Sequence, residues 1–450
     1  MDKMSVYNRL PVWGQNAACR LEGCRIRRTR YGEDFRRFLS EYERHDGWSY
    51  EQLCDYRDAR LRKMIRHCCE TVPYYAKLFR EGGIDPDRIK TLDDLKVLPI
   101  LTKSTVQEHL RDFLSAAVPA SRLKIHPTSG TTGSGLLFRT TSEEEAEQWA
   151  VWWRYRRRHG IEPDTWCGNF GGKVIVPIQT RQAPFYRRNA PCRQLYFSGY
   201  HISGDTWMDY CLAIESNQIQ WLHGYPSNLC HLASYMAENG KRIQMKQVTV
   251  GAENLYGDQA AAIRAAFGVD PIQHYGLTEG VANISQLRDG ALHIDEDFCA
   301  VELIGSGDGA AHIIGTSLSN FAMPLLRYDT GDLASFHGRC DQHGRIIDSL
   351  DGRQSESILL QNGSRLSGAA FNLMFRDFPE IREAQILQKS TGVFQIAVVK
   401  TGLYSSRSEQ KLISAFRQRV GDARVTVIYT EQIDRTANGK FRAVISDTRG

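Results

Sequence analysis

Read for the spacing of its apolar residues, the chain falls into three textures. Residues 1 to 118 carry helical spacing: the run SYEQLCDYRDARLRKMIRHCCETV sets Leu53, Leu61, Met64, Ile65 and Cys68 near one stripe, and Pro73 ends it. From Leu123 to about Leu350, short strand-like runs (RLKIH, GKVIVP, QIQWLHG, KQVTVG, VDPIQHYG, AAHIIGTSL) alternate with helical ones (SNLCHLASYMAENGK, DQAAAIRAAFG). Alternation of the two periods predicts layered α/β architecture. Past Gly352 the pattern predicts a smaller α+β unit: a hairpin SILLQNGSRLS turning at Asn362 and Gly363, a helix, the strand FQIAVVK, the helix SEQKLISAFRQRVG and the strand RVTVIYT. The chain is therefore read as a large unit of residues 1–350, with its helical start at 1–118, and a small unit of residues 351–450.

Composition changes this picture little. A length of 450 residues suffices for a large buried core, and 24% charged with 42% hydrophobic residues is ordinary for a soluble globular protein. No apolar run approaches the roughly 18 residues of a membrane span, and the N-terminus has no apolar signal core, so a cytoplasmic location is expected. Eleven cysteines scattered from Cys19 to Cys340, with Cys68 and Cys69 adjacent, do not form a disulfide framework. The net charge is +5, with Arg25, Arg27, Arg28, Arg30, Arg36 and Arg37 clustered near the start. Glu33, Asp34, Glu41 and Glu43 are interleaved with or follow them, as on a solvated amphipathic helix, and no nucleic-acid partner is expected.

The first candidate chemistry is the stretch HPTSGTTGSGLLFRTT, residues 126–141. Gly130 and Gly135 have Walker spacing, but Leu136 and Leu137 stand where the lysine and hydroxyl would be. The flanks RLKIH and LLFRTT read as strands, and a helix begins only at Ser142, with Ser142 and Glu145 as a capping box and an acid-first, base-last charge order. A Walker-type ATPase is excluded. Thr128, Ser129, Thr131 and Thr132 among glycines suit a clamp on terminal phosphates, and an ordinary polar turn explains the loop alone equally well.

Four further stretches carry groups a nucleotide site uses. TVGAENL (249–255) ends a strand in a small-residue turn that lets backbone approach a flat base. HYGLTEG (274–280) supplies Tyr275 for stacking, the flexible Gly276, the hydroxyl of Thr278, and Glu279 as an oxygen ligand for magnesium. RYDTGDLA (327–334) places Asp332 at a turn, suited to accept from two ribose hydroxyls, and DRTANGKFR (434–442) puts Lys440 on a turn. Taken in order, these motifs resemble the adenylate-forming superfamily of acyl-CoA synthetases, adenylation domains and luciferases. The texture is most similar to its phenylacetate-CoA ligase and CapK-like branch, through TVPYYAKLFREGGIDPDRIKTLDDLKVLPILTK, FGGK, LHGYPSNL and MPLLRYDTGDLA.

The resemblance implies a large layered α/β adenylate-forming domain and a small mobile α+β domain. It implies that Thr128, Ser129, Gly130, Thr131, Thr132 and Gly133 cover the β- and γ-phosphates of ATP, and that Lys440 brings the missing charge from the small domain. Gly251, Ala252 and Glu253 then flank adenine with Tyr275 stacked against it. Thr278 contacts the α-phosphate, Glu279 holds Mg2+, Asp332 holds the ribose with Arg353 assisting, and Arg365 lies on the phosphate and thiol side. Phe170, Gly171, Gly172, Tyr225 and Pro226 would wall an acyl pocket. The implied reaction joins a small carboxylic acid to AMP with pyrophosphate release, then passes the acyl group to coenzyme A; a carrier-protein thiol or an amine such as an amino sugar is the alternative acceptor, and a non-catalytic nucleotide-binding role for the chain is the alternative to catalysis. Ser355, with Glu356 next, departs from the acid or lysine that relatives carry two residues after the arginine of LDGR, which puts the hinge position in question.

A second site is raised by HGRCDQH, where His337, Cys340 and His343 have H-x2-C-x2-H spacing compatible with zinc if His293 or Cys299 completes a tetrahedron; a solvated polar loop is the alternative. The identity of the acid and the oligomeric state, a dimer included, stay open at this level.

Overall fold

The computed structural model describes the chain apart from residues 1–2, 128–136, 256, 306–309, 351–356, 364, 368–370, 372–373, 376–377, 379, 402, 432, 434–443 and 449–450. The helical start is present as Lys3–Arg9, Val12–Arg30, Glu33–His45, Tyr50–Thr71 and Pro73–Gly82. Tyr50–Thr71 begins with a capping box between Ser49 and Gln52 and buries the expected stripe of Leu53, Leu61, Met64, Ile65 and Cys68. Burial of each large apolar side chain of that stripe contributes about 1.5–3 kcal/mol. Pro73, which has no N–H to give, opens the next helix instead of continuing this one.

The loop at 128–136 lies outside the described residues, and its flanks form an antiparallel pair, Lys124–Pro127 with Leu137–Thr140. The following helix, Ser142–Arg158, is capped one residue earlier than the sequence suggests, by Thr141 and Glu144. Glu145 is not the capping acid because its carboxylate is already held by Arg30 and Lys124 at 2.8 and 2.6 Å.

The large unit is organised by a ten-stranded sheet. Its middle is parallel, in the spatial order Pro271–Gly276, Gln247–Gly251, Trp221–Gly224, Cys167–Phe170, Gln194–Phe197. The expected strand GKVIVP is not one: Cys167–Phe170 is the strand, and the apolar residues after it serve a different purpose, since Val174 and Ile178 pack against the core of the C-terminal unit. One face of the sheet is covered by Trp207–Ser216, Pro226–Glu238 and Gly257–Phe267 around a core containing Phe170, Phe197, Leu222, Leu229 and Val248. Helix Ser142–Arg158 lies against the other face, where Trp153 meets Trp221 and Tyr155 donates to the Ile272 carbonyl.

A second, antiparallel sheet runs Cys299–Gly305, Ala310–Ser317, Tyr328–Ser335, Ser349–Leu350. The N-terminal segment is stitched to it: Leu101 N–H donates to the Arg327 carbonyl and its own carbonyl accepts from Asp329 N–H, both at 2.9 Å. From residue 357 onward a third core forms. A hairpin pairs Ser357–Leu359 with Arg365–Ser367, and a four-stranded sheet has the order Arg424–Tyr429, Val393–Lys400, Ile381–Ser390, Val444–Ser446, backed by helix Ser406–Val420. Gly363 turns the hairpin at φ 83°. Arg419 of that helix stacks on the Tyr200 ring of the large unit at 3.8 Å. Among the described residues no helix is long and apolar enough to cross a membrane.

Candidate active site

The strand order reverses at Cys167–Phe170, which has Gln194–Phe197 on one side and Trp221–Gly224 on the other. Such a switch point leaves a crevice outside the carboxyl ends of the strands, where neither connecting segment crosses. The register sets Phe170 beside Gly224, Gly224 beside Val250, and Gly251 beside His274. The loops that follow, carrying the sequence-predicted groups at 170–172, 224–226, 251–253 and 275–279, therefore start abreast.

Close backbone approach fixes these ends. A Cβ at residue 224 would lie 2.6 Å from the Phe170 Cβ and 2.7 Å from its carbonyl oxygen, so only glycine fits. The same carbonyl accepts from Tyr225 N–H at 3.3 Å and from Asn228 Nδ2 at 2.9 Å. Pro226 starts the helix Pro226–Glu238 with its preset φ. The Phe170 ring, expected to wall an acyl pocket, is instead a core group: it is fully buried and stacked on Phe197 at 4.6 Å. Gly171 and Gly172 beside it carry no side chain, which leaves Tyr225 as the half-buried ring at this end; its phenol is pushed up to about 12 by burial and by Glu253 nearby.

Ala252 takes a left-handed φ of 65°, turning the chain sharply after Gly251. Glu253, expected to flank adenine, points its carboxylate at the start of the helix Pro226–Glu238. Oε2 accepts from Ser227 N–H at 3.3 Å and Oε1 has no hydrogen-bond partner. Burial pushes this carboxyl up to about 7, against the opposing pull of the Ser227 contacts and of Arg419.

Across the crevice, Tyr275 Oη donates to Asp332 Oδ2 at 2.9 Å, uniting two motifs that lie far apart in sequence. Burial and the Asp332 charge raise the Tyr275 phenol well above its ordinary value. Asp332 sits in Tyr328–Ser335 just after Gly331, whose φ of 75° and N–H bond to Asp329 make the local kink. Thr278 is exposed and Glu279 is buried, in a turn closed by Gly280 N–H to the Leu277 carbonyl and tied to the helix by Gln148 Nε2 at 2.6 Å from that same carbonyl. Gly276, between them, lies against Asn283, His274 and Trp152. The loop Thr128–Gly133, Arg353 and Lys440 lie outside the described residues, as does the side chain of Arg365.

The suggested zinc set does not assemble. His337 turns to Asp348, 2.9 Å from its Nδ1, and exposed Cys340 lies in a short hairpin pairing with Arg345. Cys299 is buried on the Asp295 carbonyl. Among the described residues the metal-ligand atoms that gather are those of Asp289, His293 and Asp341, and not those of His337, Cys340 and His343.

Three polar residues at the sheet face were not singled out by the sequence reading. Arg156 is buried among Trp149, Trp153 and Trp221, with its guanidinium carbon 5.6, 5.0 and 5.5 Å from the ring centres. His223 bonds Thr249 Oγ1 at 2.9 Å, and His274 has an unpartnered Nε2. Burial, reinforced by the Arg156 charge, pushes both imidazoles down to about 3, so both are neutral. The signal available was positional: Trp149, Trp153 and Arg156 recur at intervals of four and three residues, which puts the arginine on the apolar stripe and not on the solvated face.

Residues 358–447 match the CapK C-terminal domain family. Protein CapK of Staphylococcus aureus is 22% identical over 99% of this chain and 99% of its own length. The phenylacetate-coenzyme A ligase of Thermus thermophilus is 23% identical over 88% of this chain and 96% of its own. Among solved structures, 2-hydroxyisobutyryl-CoA ligase in complex with 2-HIB-AMP and CoA superimposes with a TM-score of 0.56 at 18% identity, covering 88% of this chain and 90% of that one. With the switch-point crevice, these similarities make the chain a homologue of CapK and the phenylacetate-coenzyme A ligases along most of its length, built on the fold of the adenylate-forming coenzyme A ligases.

Proposed function

We propose that the protein activates a carboxylic acid with ATP and transfers the acyl group to coenzyme A. One carboxylate oxygen attacks the α-phosphorus, the bond to the bridging oxygen breaks, and pyrophosphate leaves. The coenzyme A sulfur then attacks the acyl carbon, AMP departs, and the thiol proton goes to solvent. The observation that carries this reading is the convergence at one switch point of the four strand-end loops, faced by the Tyr275–Asp332 pair. Asp332 suits two ribose hydroxyls, because a carboxylate accepts more hydrogen bonds than the one Tyr275 donates. The buried carboxylate of Glu279 suits a hard divalent cation such as Mg2+, which supplies charge neutralisation on the phosphates. Thr278, Lys440, Arg353, Arg365 and the loop Thr128–Gly133 complete the phosphate side in this reading, with residues 351–450 as a unit that turns between the two half-reactions.

The measurement is acid-dependent release of pyrophosphate and AMP, with and without coenzyme A, alongside detection of the thioester. ADP and orthophosphate without AMP would refute the reading. A carrier thiol or an amine is the alternative acceptor, and adenylation without thioester would select that branch. Asp332→Ala should weaken ATP binding by the roughly 1.5–3 kcal/mol of a charge-assisted hydrogen bond, about 10- to 100-fold, checked by calorimetry.

A further inference from the structure

Arg156 presents a physical problem that the protein alone does not solve. Its side chain is 93% withdrawn from solvent, being 7% exposed. Its Nε has no hydrogen-bond partner, and among the described residues no carboxylate or carbonyl pairs with the guanidinium. Three tryptophan faces surround it, and such contacts offset only about 0.5–2 kcal/mol each, less than the penalty for burying a cation without a counter-charge. A second donor or acceptor lies unused in the same layer: His274 Nε2 is buried and unpartnered. Both His223 and His274 feel the Arg156 charge directly. An unsatisfied cation with an unsatisfied imidazole beside it, between a helix and the face of a sheet, is a place for an anion.

The position says which anion. His223 stands two residues before Tyr225, and His274 one before Tyr275, on strands whose carboxyl ends open into the crevice. At about 3.4 Å per residue the two imidazoles lie roughly 3–7 Å below the residues that open the loops, about the length of a short acyl chain. We propose that Arg156, with His274, binds a second carboxylate at the far end of the acid, so that the substrate class is a dicarboxylic acid of short to medium length held between the tryptophan faces. This inference rests on the adenylation reading for the reacting end, and on Arg156 and His274 for the distal end.

The test uses the full chain and pairs of acids equal in length: succinate, glutarate and adipate against butyrate, valerate and hexanoate. Acid-dependent exchange of pyrophosphate into ATP is measured with wild type, Arg156→Leu and Arg156→Lys, and diacid binding is titrated calorimetrically without ATP. A site built around a charged partner discriminates strongly, so wild type should favour one of the diacids over its monoacid by at least about 100-fold. Arg156→Leu should lose that preference and accept the monoacid at least as well as wild type, and Arg156→Lys should keep the preference with weaker binding. Retention of the diacid preference in Arg156→Leu, or a monoacid preference in wild type, overturns the proposal while leaving adenylation intact. Diacid binding that requires Arg156 but drives no exchange supports the anion site and refutes adenylation of the other carboxyl; absence of both diacid binding and exchange refutes the distal-anion proposal and leaves adenylation to be judged by pyrophosphate and AMP release with other acids. If Arg156→Leu does not fold, judged by circular dichroism, the lysine variant decides: loss of the preference with the positive charge retained also overturns the proposal.

Discussion

Arg154 and Arg156 stand two residues apart on one helix, and both are buried, yet their surroundings are opposite. Arg154 Nη1 reaches Asp297 Oδ2 at 2.5 Å, while its Nη2 reaches Asp295 Oδ1 at 2.8 Å and Asp297 Oδ1 at 2.9 Å. The network extends through His45 on Asp297 and through Arg57 and Arg345 on Glu296, joining the N-terminal helices to the segment around Asp295–Asp297. Arg156 has rings instead of acids. A buried charge that the fold satisfies is architecture, and one that the fold leaves unsatisfied awaits something from outside. Glu253 lies between these extremes, with one oxygen on Ser227 N–H and the other without a partner.

The largest effect should come from breaking the satisfied side. Arg154→Met strips buried Asp295 and Asp297 of the cation they share and should cost about 3–5 kcal/mol in urea unfolding, whereas Arg156→Leu, which removes an uncompensated charge, should stay within about 1 kcal/mol of wild type or gain. Equal losses in the two variants would show that the tryptophan cage satisfies its arginine as fully as the aspartates do.

Acid should separate the two environments next. His223 and His274 are pushed from 6.5 to about 3, so between those values the unfolded chain binds more protons than the folded one. Stability from this pair is complete above about pH 6.5 and is lost as pH falls toward 3. Burial opposes ionisation of Asp297, but Arg154 and His45 win and hold it far below the carboxylate range, so its contribution is present above its ordinary value of 3.8 and disappears only under stronger acid. His274→Gln should flatten the stability profile between pH 6.5 and the acid limb and leave the limb itself unchanged; an unaltered slope would remove His274 from the account.

The half-satisfied acid should respond in the opposite direction and less. Glu253 is raised from 4.5 to about 7, so the folded state holds the extra proton, and stability falls as pH rises through that window. Glu253→Gln should be more stable than wild type by an amount on the order of 1 kcal/mol at pH 8 and indistinguishable from it at pH 4. A variant less stable at pH 8 would mean that the ionised carboxylate is needed by the helix start or by Arg419.

The sequence was most legible where one period dominates. The stripe on Tyr50–Thr71, the strands flanking residues 128–136 and the C-terminal hairpin follow from spacing and turn chemistry alone. It was least legible where apolar residues serve contacts that spacing does not encode. GKVIVP has strand composition, but part of it docks the C-terminal unit, and Phe170 has the composition of a pocket wall but stacks in the core. In the candidate site, the motifs around Gly251, Tyr275 and Asp332 could be read, and the Tyr275–Asp332 bond joins two of them in space. The histidines that open HGYPSN and HYGLTEG passed as strand residues, because only the assembled sheet shows that they face the same arginine.

The clasp of Leu101 between Arg327 and Asp329 also sets a timetable for synthesis. Residue 101 leaves the ribosome long before its partner strand, which is the strand that carries Asp332. At roughly 5–20 residues per second the interval is tens of seconds, during which the segment around Leu98–Leu101 has no edge to pair with. A nascent or prematurely released chain ending before residue 327 would thus expose that unpaired backbone, making it a client for chaperones and proteases.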